Sequence, residues 1–340
     1  GGRNMKWAKE NRRGKNGSSR LRTALRAAAL VAMVALLAGC ESEEDCLNCV
    51  ELPPPVVPTG VHSISGDNLV IVQWYDISYA PYDDSYNENV VKYYIYSRFF
   101  EEGDQGNPNR EFFKIGEVAW DEFYDGDTGL HWFYDYDAEN GDQYEYAVAS
   151  VNAAGLESAL SYEFVVDAPL PMSPLFNDIY LSVELDDGNI PGSTTSGFNF
   201  AKAASNQSNL NEGVVDPATQ TYDIKILFEN GVPYVEANPA RVLLQDFGVF
   251  TSNGELIFEG VGWAPADGYS QTGKLELVPG HIYVLEIRDS QLHYAKFGVT
   301  GTGTSSVNII WAYQTIPGLP ELKAPEDRET GPVKPQIVSF

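Results

Sequence analysis

Three cysteines, four histidines and a large surplus of carboxylates are the side chains in this sequence with chemistry to offer. Cys46-Leu47-Asn48-Cys49 is a C-x-x-C, a spacing shared by dithiol redox centres, zinc half-sites and short disulfides. A redox or zinc role needs a folded context or two further ligands. Here the pair lies between the acidic Glu41–Asp45 and Pro53-Pro54-Pro55, with no histidine near, so a small Cys46–Cys49 disulfide is the favoured expectation. Asp125-x-Asp127 and Asp135-x-Asp137 are the candidate calcium ligands; neither run has the spacing of a full EF-hand loop or its terminal bidentate Glu. No nucleophile elbow, phosphate loop or H-E-x-x-H occurs, and no carboxylate pair stands out among so many. The expectation is a binding or scaffolding protein and not an enzyme, with an envelope hydrolase or its accessory subunit as the alternative from another class.

Aromatic side chains are the other chemical resource. Thirteen of the twenty tyrosines fall between Pro54 and Ala168. Tyr75, Tyr79, Tyr82, Tyr86 and Tyr124 sit there among Asp and Asn, outside any alternating pattern. Rings flanked by carboxylates and amides can stack on sugars or anchor a protein, and these five are the candidate partner-binding residues. The competing reading folds them down as a local mini-core.

The elements that position these groups follow from composition and pattern. The chain has 340 residues, 43% of them hydrophobic, and a formal net charge of −26. Residues 1–39 carry nine basic side chains and one acidic one, leaving 13 basic and 47 acidic residues from Cys40 onward. So acidic a chain is a poor ligand for nucleic-acid phosphates or an anionic membrane surface. Ala27–Ala38 is an apolar run too short for a mature membrane span, which needs roughly 20 residues. It fits the h-region of an export signal occupying residues 1–39.

That segment closes in Leu37-Ala38-Gly39-Cys40. The four residues resemble the lipobox of bacterial lipoproteins. The resemblance implies cleavage before Cys40, lipidation of Cys40 and anchorage at the outer membrane or cell surface of a diderm bacterium. The acidic run after Cys40 (residues 40–53 form the tether) resembles a surface-export signal; a solvated tether is the plainer reading.

Downstream the pattern is β throughout. Gly60–Trp74 reads as two strands about Gly66-Asp67, and Val91–Arg98, Phe112–Val118 and Tyr144–Asn152 continue the alternation. Pro58-x-Gly60, Trp74, Tyr93-x-Ile95, Asp135, Gly141-x-x-Tyr144-x-Tyr146-x-Val148 and Val151-Asn152-x-x-Gly155 resemble a fibronectin type III domain over residues 54–168. The resemblance implies a two-sheet sandwich packed through Trp74, with long insertions around Asp76–Asn89 and Ala119–Leu130. It also explains Asp135 and Gly141 as turn residues. The proline-rich 169–174 reads as a linker.

Residues 175–315 are expected to form a second, mostly antiparallel β-domain, followed by a proline-rich, extended and partly disordered tail at 316–340. Strands are expected at Ile179–Leu185, Phe198–Ala201, Tyr222–Phe228, Val242–Phe247, Leu256–Glu259, Lys274–Leu277, Ile282–Arg288, Leu292–Val299 and Val307–Tyr313, with Ser205–Asp216 a loop. Tyr283-Val284-x-Glu286, His293-Tyr294-Ala295-Lys296-Phe297 and Trp311-Ala312-Tyr313-Gln314 resemble the haem-binding lipoprotein family of HmuY type, and more closely a family of uncharacterised bacterial lipoproteins. Haem or small-ligand capture is the alternative function this implies, with Glu229–Gly262 departing from the pattern. If Ile282–Arg288 and Gln291–Val299 pair about a two-residue turn at Asp289-Ser290, His293 faces Glu286 and His281 faces Gly298. The two histidines then leave opposite faces, about 16–17 Å apart at roughly 3.3 Å per residue, and cannot share one iron. A three-residue loop would reverse the parity without closing the gap. Structural use of His293, bonding a neighbouring backbone group, is the expectation.

Overall fold

The computed structural model describes residues 54–77, 90–100, 111–163, 165–173, 179–182, 195–206 and 212–325. All of them lie in one compact unit, Pro53–Phe340. Cys40, Cys46, Cys49, Tyr79, Tyr82 and Tyr86 lie outside the described residues. The architecture is all-β, and every strand pairing is antiparallel. Among the described residues no helix is long and apolar enough to cross a membrane.

The first sandwich uses β1 (His62–Gly66), β2 (Leu69–Tyr75), β3 (Val90–Phe99), β4 (Phe113–Ala119), β5 (Tyr124–Asp125), β6 (Leu130–Asp135), β7 (Tyr144–Asn152) and β8 (Val165–Asp167). Their two sheets run β1-β2-β6-β5 and β4-β3-β7-β8, the fibronectin type III arrangement. Period-two alternation sends Val70, Val72 and Trp74 inward from β2, to meet Tyr93 and Ile95 of β3 and Tyr146 and Val148 of β7. The Tyr146 hydroxyl donates to Asp135 Oδ2 at 2.9 Å, which ties the two sheets at the turn after β6. Gly60, at φ +68°, is where the chain enters: a Cβ there would meet the Tyr75 ring at 2.3 Å.

The remaining elements are β9 (Ile179–Ser182), β10 (Gly197–Phe198), α1 (Phe200–Ser205), β11 (Val214–Val215), β12 (Ile224–Glu229), β13 (Val232–Ala237), β14 (Val242–Val249), β15 (Thr251–Ser252), β16 (Glu255–Leu256), β17 (Lys274–Glu276), β18 (His281–Arg288), β19 (Leu292–Thr302) and β20 (Ser306–Tyr313). They form sheets β11-β10-β12-β13-β17 and β14-β18-β19-β20-β9, with β15-β16 a separate hairpin. Rings fill the space between the two large sheets: Phe198, Phe200, Tyr283, Phe297 and Trp311 lie in mutual contact there. The central sheet is covered on both faces. Tyr283, Leu285 and Ile287 of β18 enter that core, while Ile282 and Val284 enter a second one with Leu170, Phe258 and Leu322. Burial on both faces is why β18 reads as an apolar run, Ile282–Leu285 and Ile287, broken only by the buried Glu286.

Several expectations change here. Phe198–Ala201 is not one strand: Asn199 caps a helix, its side chain accepting from Lys202 N, and the alanines that follow favour the helical turn. Val214–Val215, expected in a loop, adds a short edge strand to β10. The described part of the expected linker, 169–173, is packed: Leu170 and Met172 are buried, Leu170 N donates to Gly66 O, and Tyr313 N donates to Pro171 O. It continues the edge beside β20 past the reach of β9, through the Met172–Ala312 bridge and the Ser173 N to Trp311 O bond. The first part of the tail is likewise packed, with Glu321, Leu322 and Ala324 buried and Leu322 N bonded to Gly262 O.

Candidate functional site

The outer face of the β1-β2-β6-β5 sheet gathers aromatic side chains. Pairing sets Gln73 opposite Trp132 and Ile71 opposite Tyr134, while Trp74 opposite His131 and Val72 opposite Phe133 occupy the inner face. Trp132 and Tyr134 therefore stand one two-residue step, roughly 7 Å, apart on the outer side of β6, and Tyr136 follows in the turn after it. Phe123 joins them from the strand edge: its ring lies 6.3 Å from Trp132 and 6.2 Å from Tyr134, edge-on to both. Tyr134 stacks on Tyr136 at 5.8 Å. Trp132, Tyr134 and Tyr136 are half-buried, while Phe123 at 43% and Tyr75 at 51% are the rings this face exposes most. Polar groups border it, His62 Nε2 lying 2.9 Å from Gln73 Oε1.

Of the expected contact residues, the structure brings Tyr75 to this face but not Tyr124. Tyr124 pairs with His131 and its ring lies 4.7 Å from the imidazole, at the margin of the inner face, where it stays 37% exposed. His131 is fully buried among Trp74, Tyr93 and Tyr124, and its Nε2 lies 3.5 Å from Asp76 Oδ1. The Tyr93 hydroxyl donates to the same carboxylate at 3.2 Å; burial first, then the Asp76 charge, pushes the phenol far up.

Trp132, Tyr134, Tyr136 and Phe123 are what sequence reasoning missed. The signal was W-x-Y-x-Y, but His131 and Phe133 interleave as further rings, so period two does not separate in from out.

The candidate calcium ligands serve their own turns. Asp125 accepts from Thr128 Oγ1 at 2.7 Å and Asp127 N at 2.9 Å, contacts that hold its carboxyl below the usual range. Asp135 accepts from Asp137 N and from Tyr146, yet burial pushes its carboxyl up. Asp127 and Asp137 supply backbone N–H groups to these turns. Among the described residues no three His, Cys, Asp or Glu side chains gather as a metal would need.

The β18–β19 hairpin differs from the expected register by one residue. Ile287 faces His293 and Ile282 faces Gly298, about a loop at Asp289–Gln291. The physical reason is Asp289, whose Oδ1 accepts from both Ser290 N and Gln291 N and so closes a three-residue loop. His281 and His293 consequently share a face and are not on opposite ones. They remain six positions apart along the hairpin, roughly 20 Å. His281 Nδ1 is 3.0 Å from Asp246, and His293 Nδ1 donates to Gln314 O at 3.0 Å. Two histidines so placed do not fit one haem iron. Lys296 of the same motif is fully buried, and its ammonium donates to Phe258 O at 2.7 Å and Val261 O at 2.8 Å. The His-Tyr-Ala-Lys-Phe run thus fastens backbone segments.

Gly197-Phe198-x-Phe200 and Tyr222-Asp223-Ile224 also meet: Ile224 pairs with Phe198, and Phe200 N donates to Asp223 Oδ2 at 2.8 Å. Asp223 is fully buried, 3.1 Å from Arg241; burial pushes its carboxyl up to about 6 against that guanidinium.

No family model matches the sequence, and no curated protein matches it. Among solved structures, the FN5 domain of Drosophila Lar is similar at 18% identity over 34% of this chain and 97% of that one, with a TM-score of 0.21. The FN1–FN3 domains of chicken CNTN1 are similar at 15% identity over 76% of this chain and 68% of that one, TM-score 0.27. A DUF4466 family protein from Parabacteroides merdae is similar at 10% identity over 78% of this chain and 95% of that one, TM-score 0.35.

Proposed function

We propose that the protein is a lipid-anchored binding module of the bacterial envelope, non-catalytic, which contacts polysaccharide or protein through the aromatic outer face of its first sandwich. The observation that carries this reading is the row Trp132-x-Tyr134-x-Tyr136 with Phe123 at its flank, on a sheet face that no described strand covers. Aromatic side chains supply large rigid contact area at small entropic cost, which is why they dominate binding hot spots. The acidic chain argues against polyanionic partners, nucleic acid among them. Cys40, behind the apolar run, supplies the lipid that holds the module at the membrane, where stable anchorage takes more than one acyl chain.

Affinity electrophoresis through gels containing neutral polysaccharides, run beside envelope protein cross-linking, tests the reading. Retardation or adducts should be lost in a Trp132→Ala/Tyr134→Ala variant whose unfolding midpoint is retained. Equal behaviour of variant and wild type would remove the face from the function.

A further inference from the structure

The strongest unassigned chemistry lies away from the aromatic face, where β8 meets the segment after β20. Asp167, the last residue of β8, is fully buried, and Glu321 nearly so. Lys323 places its ammonium 2.6 Å from Glu321 Oε1 and 3.4 Å from Asp167 Oδ2. The Ser65 hydroxyl of β1 donates to the other Asp167 oxygen, Oδ1. Trp263 covers the lysine, its ring centre 5.9 Å from Nζ. The neighbours in sequence, Ala168 and Leu322, are both fully buried. Backbone bonds fix the segment: Leu322 N donates to Gly262 O, and Gln314 Nε2 donates to Glu321 O at 3.1 Å.

Two buried carboxylates beside one ammonium carry one negative charge too many, so a shared proton is favoured there. Burial, then the Asp167 charge, pushes the Glu321 carboxyl up to about 7, against the pull of Lys323. The trio therefore holds an amine, a carboxyl carbon and a proton carrier within reach of one another, the two carboxylates buried and the lysine a quarter exposed.

We propose that Lys323 and Asp167 join through an intramolecular amide, with Glu321 carrying the protons. The reactive arrangement is the one in which the shared proton has moved from Glu321 to Asp167. Glu321 takes a proton from the Lys323 ammonium, and the free amine attacks Cγ of Asp167. The C–N bond forms, and negative charge develops on Oδ1, where the Ser65 hydroxyl already points. Glu321 returns its proton to the Oδ2 hydroxyl, which leaves as water as the C–O bond breaks. The nitrogen then gives up its extra proton to Glu321. An ammonium, a carboxylate and a carboxylic acid become an amide, a water and a carboxylic acid, with atoms and charge balanced and no oxidant or reductant involved. The product replaces two buried charges by neutral groups and staples the first sandwich to the chain beyond β20.

The test is peptide mapping of the purified full chain, denatured, reduced and digested with trypsin. Wild type should yield a branched peptide carrying Asp167 and Lys323, lighter than its two parts by one water. Lys323→Arg and Asp167→Ala should yield only the separate peptides. Glu321→Gln, checked for native near-ultraviolet circular dichroism, should slow linkage by about 100-fold or more, the range for losing a proton-transfer group. Only separate peptides from folded wild type would overturn the proposal and leave the trio an ion pair. Full linkage in Glu321→Gln would overturn the role given to Glu321.

Discussion

The indole of Trp74 lies parallel to the imidazole of His131, ring centres 5.7 Å apart and planes 13° apart, at the sealed centre of the first sandwich. The two residues are directly paired across β2 and β6. This stack sets the inner face of the sheet, and with it which side chains of β6 are turned outward.

Trp74→Ala should therefore cost about 3–5 kcal/mol, the usual range for emptying an aromatic core site. Tyr93 and His131 would each lose a ring neighbour. The denaturation midpoint is the measurement; an unchanged value would mean the stack does not exist.

Lys296→Met should destabilise the chain by about 1–3 kcal/mol, because it leaves buried carbonyl acceptors unsatisfied. The partners are the carbonyls of Phe258 and Val261, flanking the turn at Phe258–Gly260. Hydrogen exchange should speed up locally at residues 258–262. Uniform exchange rates across both proteins would show that the lysine fastens nothing.

Asp223 should give the stability a pH dependence. Its carboxyl is raised to about 6 in the folded chain, with Phe200 N, Arg241 and Asp289 as its polar surroundings. A carboxyl with a raised pKa binds more protons folded than unfolded. Its contribution is greatest below the unfolded value near 4 and is lost as the pH rises through about 6. The loss is at most about 3 kcal/mol at 1.36 kcal/mol per unit. Asp223→Asn should flatten the profile between pH 4 and 6, roughly the window set by those two values; an identical slope in both proteins would place the titration elsewhere.

Cys40→Ser should abolish acylation, as the Leu37–Cys40 motif after an apolar run requires. Metabolic labelling with a fatty-acid analogue reads this directly. A wild-type chain that takes up no label would remove the anchor from the account.

The strands that face water on one side were legible in the sequence. β2 and β3 alternate in burial, and Trp74 and the Asp135–Tyr146 pair sit where the fibronectin-like pattern implies. Three things were not legible. β13 hid behind Gly231 and Pro233, residues that read as a break although Pro233 needs no N–H at its position. The hairpin register turned on one side chain, Asp289, choosing a three-residue loop over a two-residue one. The aromatic face was masked because β6 is bulky on both sides: Trp132 and Tyr134 face out while Phe133 faces Val72. Only the pairing with β2 separates them.

The contact face itself is tested most directly by site-specific photo-cross-linking in the intact envelope. A photoreactive phenylalanine analogue replaces Tyr134 in one protein and Tyr94 in another. Tyr94 lies on the β3 strand of the opposite sheet, with Lys114 Nζ 3.4 Å from its ring centre. The account predicts a discrete polysaccharide or protein adduct from position 134 and little or none from position 94. Equal adducts at the two positions, or none at 134, would contradict it.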